Sequence, residues 1–322
     1  MVRTRTRSRR RCSWARGTDV AITAFTGAAA AAPHRPTRHG RVAFLLLLPG
    51  IAYLVLFFIV PLISLIITSL EAPSADVYGA YVYGFQWQNY FDVIGQYAEQ
   101  IGRSFLFALL ATVFALLISY PLAYFIGVRM RSRPVLQSFL VILVIAPFFI
   151  SFLLRTLAWK QILSDEGPVV GTLKALSILG PQAHLTGTSF SVVFGLTYNF
   201  IPFMCLPIYT ALERMDLRYL EAGSDLYASP AAVFRRVTLP LSMPGVVAGT
   251  LLTFIPAAGD YVNASQEFLG GTSSTMIGNV IQSNFLVQLN YPAAAALSIL
   301  LMAIILVIVG VYVKRSGTED LL

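Results

Sequence analysis

Charged residues, cysteines and histidines are all scarce in this sequence. Of its 322 residues, 12% are charged and 57% are hydrophobic, whereas soluble domains carry roughly 25% charged residues. The two cysteines give neither a disulfide pattern nor a metal-ligand spacing, and the three histidines have no ligand-type neighbour at a suitable spacing. These scarcities weigh against a soluble enzyme and a disulfide-stabilised protein, and we expect no metal site. The residues concerned are Cys12, Cys205, His34, His39 and His184.

The sequence also lacks the motifs that hold nucleotides or build catalytic sites. A phosphate-binding loop needs the pattern Gly-x4-Gly-Lys-Ser/Thr, but none of Lys160, Lys174 and Lys314 follows a glycine. There is no His-Glu-x-x-His, no Gly-x-Ser-x-Gly and no histidine within an apolar segment. We therefore expect neither an ATPase nor a membrane-embedded enzyme, and no cofactor bound by this chain.

The positive charge is concentrated at one end of the chain. The net charge is +8, and ten of the 23 basic residues are arginines within residues 1–41, ahead of the first apolar segment. Such an arm is typically disordered and faces the cytoplasm, where it contacts anionic lipid headgroups. We interpret residues 1–41 in this way rather than as a cleaved signal peptide, and we expect no nucleic-acid partner.

Long apolar segments dominate the rest of the chain. About 20 mainly apolar residues cross the hydrocarbon core of a bilayer, and six segments approach that length. We predict an all-α, polytopic membrane domain over residues 42–315, with a short tail at 316–322. In the fifth segment, Gly245 and Gly249 follow two prolines, a pattern typical of a helix that packs closely or lines a cavity. The six segments are approximately 44–70, 104–128, 135–157, 190–212, 239–256 and 293–313.

The basic residues between these segments predict their orientation, because Lys and Arg resist translocation. Residues 129–133 and 213–238 each contain at least three arginines, whereas 259–292 contains no Lys or Arg. All loops alternate consistently if six segments cross the membrane and both termini are cytoplasmic. The predicted location is the inner (plasma) membrane.

The cytoplasmic loop 213–238 has the pattern of two short helices. Ser229 can cap the second, with Pro230 at its first position. An apolar stripe that includes Phe234 runs beside two arginines. Periodicity leaves two interpretations open: an element that docks into a groove of a partner, or a helix that lies on the membrane surface.

This loop resembles the EAA loop of ABC importer permeases, whose pattern is Glu-Ala-Ala, three residues, Gly, nine residues and then Ile-x-Leu-Pro. Glu221 and Ala222 begin the pattern, and residues 237–240 end it at the family spacing. Two positions depart from it: Gly223 replaces the second alanine, and Tyr227 stands where the family has glycine. Tyrosine adopts a positive φ only at a cost, so the turn between the helices is the doubtful part of the pattern.

The resemblance implies the fold of a type I ABC importer permease and a set of partners. These are a cytoplasmic ATPase dimer, which binds ATP and Mg²⁺, a second homologous permease, an extracytoplasmic substrate-binding protein and the lipid bilayer. In this family the loop is the coupling element that docks on the ATPase. By resemblance, the ATPase contacts are Glu221, Ala222, Asp225, Ala228 and Phe234.

Further stretches, at 241–250, 254–262, 268–271 and 277–282, are similar to spermidine/putrescine permeases. That similarity implies a polyamine cargo. An ABC permease for another solute, such as ferric iron or thiamine, stays open, as does a secondary transporter or channel. Dependence on an ATPase would separate the ABC permeases from the last two.

A polyamine path should offer scattered carboxylates and aromatic faces. Asp260, Tyr261 and Glu267 lie in the outer segment without Lys or Arg, and Tyr198 and Asn199 lie in the fourth apolar segment. We take these five as candidate path residues. The alternatives are that the outer segment docks the binding protein and that the polar groups of the fourth segment bridge helices.

Overall fold

The computed structural model describes residues 40–74, 80–180 and 182–315. The predicted tail, and all but the last two residues of the predicted arm, therefore lie outside the described residues. The chain divides into two compact units, one ending at Ile59 and the other beginning at Val60.

The first unit contains one helical stretch in its described part. Helix α1 (Gly40–Leu54) passes through Pro49 and continues into a π-helical turn over Val55–Ile59. Its large apolar side chains, such as Leu46 and Phe58, are exposed. Such a surface suits a helix that is surrounded by lipid or by another membrane protein.

The second unit is also mainly helical. It begins with α2 (Val60–Ser69) and a two-stranded antiparallel hairpin, in which Glu71 lies opposite Tyr83. The remaining elements follow in chain order. They are β1 (Glu71–Pro73), β2 (Tyr81–Tyr83), α3 (Gln88–Tyr124), α4 (Pro134–Ile145), α5 (Phe152–Leu163), α6 (Pro168–Ala175), α7 (Ser189–Arg214), α8 (Arg218–Asp225), α9 (Pro230–Val233), α10 (Leu239–Ala258), α11 (Ile277–Leu286) and α12 (Tyr291–Arg315).

The described residues contain five helical stretches long and apolar enough to cross a membrane: Leu46–Ser69, Gln88–Arg129, Ser189–Arg214, Pro230–Ala258 and Tyr291–Arg315. A sixth span is formed if the bent pair Pro134–Phe149 and Phe152–Ala175 counts as one. The predicted all-α, polytopic architecture is thus confirmed.

The third predicted span, 135–157, is not a single helix. Its two parts bend by 93°, and the break follows a 3₁₀ turn over Ala146–Phe149 that contains Pro147. Proline lacks the N–H that would continue the hydrogen-bond ladder, and Ile150 is already extended. The break thus has a local cause that hydropathy does not register.

Helix α7 is the centre of the second unit, where it packs against α3 and α10. The contact with α10 is close because two glycines face it. A Cβ atom added to Gly245 would lie 2.6 Å from the carbonyl oxygen of Pro207, and one added to Gly249 would lie 2.9 Å from that of Met204. The close packing expected from these glycines is confirmed.

Candidate functional site

Residues 213–238, called here the coupling element, fold as a helix, a tight turn and a second helix. Helix α8 ends in a Schellman motif: the amide of Tyr227 donates to the carbonyl of Ser224 at 2.9 Å, and that of Ala228 donates to Gly223 at 3.2 Å. This motif needs a left-handed residue at its penultimate position. Tyr227 supplies it with φ +56°, so the turn is formed despite the missing glycine.

The second helix of the coupling element runs directly into a membrane span. The hydroxyl of Ser229 caps α9 by accepting from the amide of Ala232 at 3.3 Å, as predicted. A π-helical turn over Phe234–Thr238 then joins α9 to α10, and Pro230–Ala258 is one helical stretch. The wider turn precedes Pro240, whose ring would otherwise crowd the preceding helical turn.

Gly223 has a packing role in the same element. A Cβ atom at this position would lie 3.0 Å from Cγ2 of Val233, so α8 and α9 leave too little room here for a methyl group. The second alanine of the family pattern would force the valine to move. Gly223 therefore allows these two short helices to pack together.

The five predicted ATPase contacts divide into two groups. Glu221, Ala222 and Asp225 are exposed on α8, where a partner can reach them. Ala228 is half-buried in the turn. Phe234 is also half-buried, and it packs against α3 within this chain.

The ring of Phe234 lies edge-on to two tyrosines of α3. The ring centroids are 5.6 Å apart for Tyr120 and 6.3 Å apart for Tyr124. Tyr120 also shares a 2.8 Å hydrogen bond with the hydroxyl of Ser242 in α10. Phe234 thus ties the coupling element to the membrane helices. Sequence reasoning missed the two tyrosines, although their spacing of four residues places both on one helix face.

The beginning of the coupling element is anchored to the turn between α3 and α4. The guanidinium of Arg131 donates to the backbone carbonyl of Met215 at 2.7 Å. Met215 is buried, and Leu220 packs against the same apolar cluster. The tip remains apolar and open, since Leu226 is 81% exposed and Tyr227 is 98% exposed. Such an anchored base with an exposed apolar tip suits docking on a partner.

At the other end of α10, four side chains form a buried chain of hydrogen bonds, called here the outer polar cluster. The amide nitrogen of Asn199 donates to the hydroxyl of Thr156 at 3.2 Å and to the amide oxygen of Asn263 at 3.1 Å. Asn263 in turn donates to Asp260 through its backbone N–H, at 2.7 Å, and through its side chain, at 3.1 Å. The cluster joins α5, α7 and the loop after α10.

Asp260 has an unusual environment for a carboxyl group. It lies two residues beyond the span that ends at Ala258 and is almost fully buried. Burial raises the pKa of Asp260 to about 6, although the hydrogen bonds from Asn263 act in the opposite direction. Two predicted path residues, Asp260 and Asn199, are therefore joined through Asn263 in a buried cluster.

The other three predicted path residues lie apart from this cluster. Tyr198 packs edge-on against Trp159, with ring centroids 5.1 Å apart. Tyr261 and Glu267 are exposed in the outer loop. Lys160 donates to the backbone carbonyl of Glu267 at 2.6 Å, which leaves the Glu267 carboxylate outside that contact.

Arg155, next to Thr156 of the cluster, is buried to 8% exposure. An intramembrane arginine commonly extends toward the interface, whereas this side chain is buried among the described residues. Its Nε and Nη1 atoms have no hydrogen-bond partner among the described residues, and the same holds for Oδ1 of Asn199. The guanidinium lies 5.9 Å from the ring centroid of Phe152.

The sequence profile of the binding-protein-dependent transport system inner membrane components matches residues 119–316. The chain is 34% identical over 266 residues to the spermidine/putrescine transport system permease protein PotB of Haemophilus influenzae, covering 82% of this chain and 91% of that protein. It is 34% identical over 268 residues to PotB of Escherichia coli, covering 83% and 94%.

A solved structure shares the fold at lower sequence identity. It is a crystal structure of a bacterial ABC transporter involved in the import of the acidic polysaccharide alginate. It matches with a TM-score of 0.63 at 17% identity and covers 87% of this chain and 96% of that chain. Together with the profile and the relatives, the match gives a multi-pass inner-membrane protein with an ABC permease fold. The chain belongs to the family of binding-protein-dependent transport system inner membrane components.

Proposed function

We propose that this chain is the permease subunit of an ATP-driven importer and carries a polyamine across the inner membrane. The observation that carries the proposal is the coupling element: an exposed helix, a tight turn and a helix continuous with a span. The names of the two relatives support spermidine and putrescine as cargo. Ferric iron and thiamine, and a carrier or channel that works alone, have no such support.

In this proposal the ATPase is a separate polypeptide that binds ATP and Mg²⁺, while this chain binds no cofactor. Glu221, Ala222 and Asp225 are the direct contacts, since their side chains are exposed. Ala228 supports the turn, and Phe234 transmits movement to α3 through Tyr120 and Tyr124. Closure of the ATPase dimer would thus reach the membrane helices through one aromatic contact and one continuous helix.

The remaining partners follow from the same assignment. A second, homologous permease completes the translocation path, and an extracytoplasmic binding protein delivers the cargo. The arginines of 129–133 and 213–238 support a cytoplasmic position for the coupling element and for both termini. Residues 259–292, without Lys or Arg, then face outside and receive the binding protein and its cationic cargo.

The candidate path residues take two roles in this proposal. Tyr261 and Glu267 are exposed and meet the entering polycation, because a carboxylate and an aromatic ring both attract ammonium groups. Asp260 and Asn199 hold the outer loop against α5 and α7 through hydrogen bonds. Tyr198 packs against Trp159 and bridges helices.

Reconstitution tests the proposal. The chain, its candidate ATPase, a second permease and the binding protein are placed in liposomes, and ATP-dependent uptake of radiolabelled spermidine and putrescine is measured. Glu221→Ala should lower uptake about tenfold, equivalent to roughly 1.4 kcal/mol of lost coupling. Glu166→Ala, an exposed carboxylate outside the coupling element, is the matched control. Uptake of neither polyamine would refute the cargo, and uptake by this chain alone would refute the importer.

A further inference from the structure

A second site lies in the second unit, away from the coupling element and the outer polar cluster. A pocket of about 430 Å³ opens between α2, α11 and α12. Its lining includes Glu71, Phe285 and Tyr291, together with Leu65, Thr68 and Ser298 of the two long helices. We call it the rim pocket, because Glu71 follows the end of one span and Tyr291 begins another.

The carboxylate of Glu71 has no cationic partner in the described parts of the chain. The ion pairs there join Glu99 to Arg103, and Asp165 to Lys174 and His184. In the sequence, neither 70–102 nor 259–290 contains Lys or Arg. Glu71 is partly buried, and the basic residues of α12, Lys314 and Arg315, lie at the end of that helix opposite Tyr291. Glu71 therefore presents a negative charge at the pocket wall without a nearby cation from the segments that build it.

Aromatic rings line the same pocket as the Glu71 carboxylate. Tyr291 packs edge-on against Phe285, with ring centroids 5.3 Å apart, and against Tyr81 at 6.2 Å. Aromatic faces attract cations, and the attraction strengthens where water is partly excluded. A carboxylate with tyrosine and phenylalanine walls is a combination that selects an ammonium group over an anion or a neutral polar group.

The helical lining of the pocket favours an apolar body next to that ammonium group. The lining extends along α2 from Thr68 back to Pro61, and seven helical steps correspond to about 10 Å. Apart from a few hydroxyl groups, this lining consists of apolar side chains such as Leu65 and Ile281. A hydrated polyion would lose hydration there without compensation, whereas methylene groups would gain by burial.

We propose that the rim pocket binds a primary alkylammonium, with the ammonium group at Glu71 and Tyr291 and the methylene chain along α2. Two classes of molecule carry that chemistry: an aliphatic polyamine, whose other ammonium groups would stay in water outside the apolar wall, and an aminophospholipid, whose acyl chains would supply the methylene groups. The site does not depend on which solute the importer carries, so its test is independent of the proposed function.

Two binding measurements distinguish the sources. The full chain is purified in uncharged maltoside micelles. One arm measures equilibrium dialysis with radiolabelled spermidine, and the other counts phosphatidylethanolamine adducts by native mass spectrometry, with phosphatidylglycerol as the competing lipid. Glu71→Gln should weaken whichever ligand binds by about tenfold, because a charge-assisted contact is lost. The substitution leaves the backbone contact intact, since Asn89 donates to the Glu71 carbonyl.

Matched variants separate the site from general charge effects. Asp92→Asn neutralises an exposed carboxylate of α3 that does not line the pocket, and it should leave binding unchanged. Tyr291→Phe keeps the ring and should retain binding, whereas Tyr291→Leu should reduce it several-fold. Loss in the spermidine arm identifies a free polyamine, and loss in the lipid arm identifies the headgroup. If Glu71→Gln changes neither arm, or Asp92→Asn weakens binding as much, the proposal is overturned.

Discussion

Replacing Tyr227 with glycine should stabilise the turn of the coupling element. Tyr227 holds a left-handed conformation at φ +56°, which costs an L-residue roughly 1–2 kcal/mol. Its side chain is 98% exposed, so the substitution removes almost no packing. Glycine adopts the same conformation without a Cβ penalty, as in most helix ends of this type.

The size of the effect follows from two opposing terms. Glycine relieves the roughly 1–2 kcal/mol of strain, but its greater freedom in the open chain costs about 0.5–1 kcal/mol. The net gain should be about 0.5–1 kcal/mol, which corresponds to a roughly two- to fivefold lower population of the open turn. The amide of Ala228, which donates to Gly223 at 3.2 Å, reports that opening directly.

Hydrogen exchange on the chain in lipid nanodiscs measures how often this turn opens. Exchange at Ala228 should slow by the same two- to fivefold factor in Tyr227→Gly. Tyr227→Ala is the control, since it removes the ring but keeps the Cβ atom and therefore the strain. Equal slowing in both variants would show that the ring, not the backbone conformation, opposes the turn. Faster exchange in Tyr227→Gly would refute the reasoning altogether.

Three further predictions concern other parts of the chain. Phe234→Ala should lower the free energy of unfolding by about 2 kcal/mol, since the side chain is half-buried. It should also reduce uptake per ATP hydrolysed in the reconstituted importer. Phe234→Leu should retain most of the stability and most of the uptake. Gly249→Val should destabilise the purified chain by about 1–3 kcal/mol in thermal unfolding, because its Cβ would lie 2.9 Å from the Met204 carbonyl. The control is Gly171→Ala, whose Cβ would lie in open space. Asp260 has a pKa of about 6 when folded but about 3.9 when unfolded. Between these values only the folded state holds the proton, so the contribution of Asp260 to stability is fully present below pH about 4 and is lost as the pH rises through about 6. In Asp260→Asn this contribution to the slope should vanish.

Each of these has a contrary outcome. Normal coupling in Phe234→Ala would remove the aromatic contact with α3 from the transmission route. Equal stability of the Gly249 and Gly171 variants would mean that α7 and α10 can separate without cost. A pH slope that persists in Asp260→Asn would belong to another titrating group.

Much of the architecture could be predicted from the sequence, because crossing a bilayer requires long apolar helices. The third span was predicted less well. The apolar run 135–157 contains Pro147 and, at the break itself, Ser151, but these two residues change the mean hydropathy of the run little. Hydropathy sums composition over a window, so it gives the same result for a straight helix and for two helices bent by 93°.

The coupling element shows where sequence patterns stop being informative. Its two helices and the Ser229 cap follow from local chemistry, and the resemblance indicated a tight turn at Tyr227. The direction of Phe234 could not be predicted, because an apolar stripe does not say what covers it. The two side chains that pack against Phe234, Tyr120 and Tyr124, lie more than a hundred residues earlier in the sequence.

Burial of polar side chains was the least predictable feature. Asn263 connects Asp260 to Asn199, but an asparagine in a polar loop carries no signal of that role. The burial of Arg155 depends on which face of α5 meets the rest of the unit. Hydropathy gives the depth of a residue in the bilayer, not the side of the helix on which it lies.

The continuity of the stretch 230–258 gives the proposed coupling a physical route. Its 29 residues correspond to about 43 Å of helix, so one element begins in the coupling element and ends two residues before Asp260. Because Gly245 and Gly249 hold it against α7, displacement at Phe234 requires α7 to move with it or the contact to slide. A rigid element with packed neighbours can carry such a movement without a chain of individual side-chain changes. The hydrogen bonds that Asn263 donates to Asp260 would then be the first contacts beyond the helix that this displacement changes.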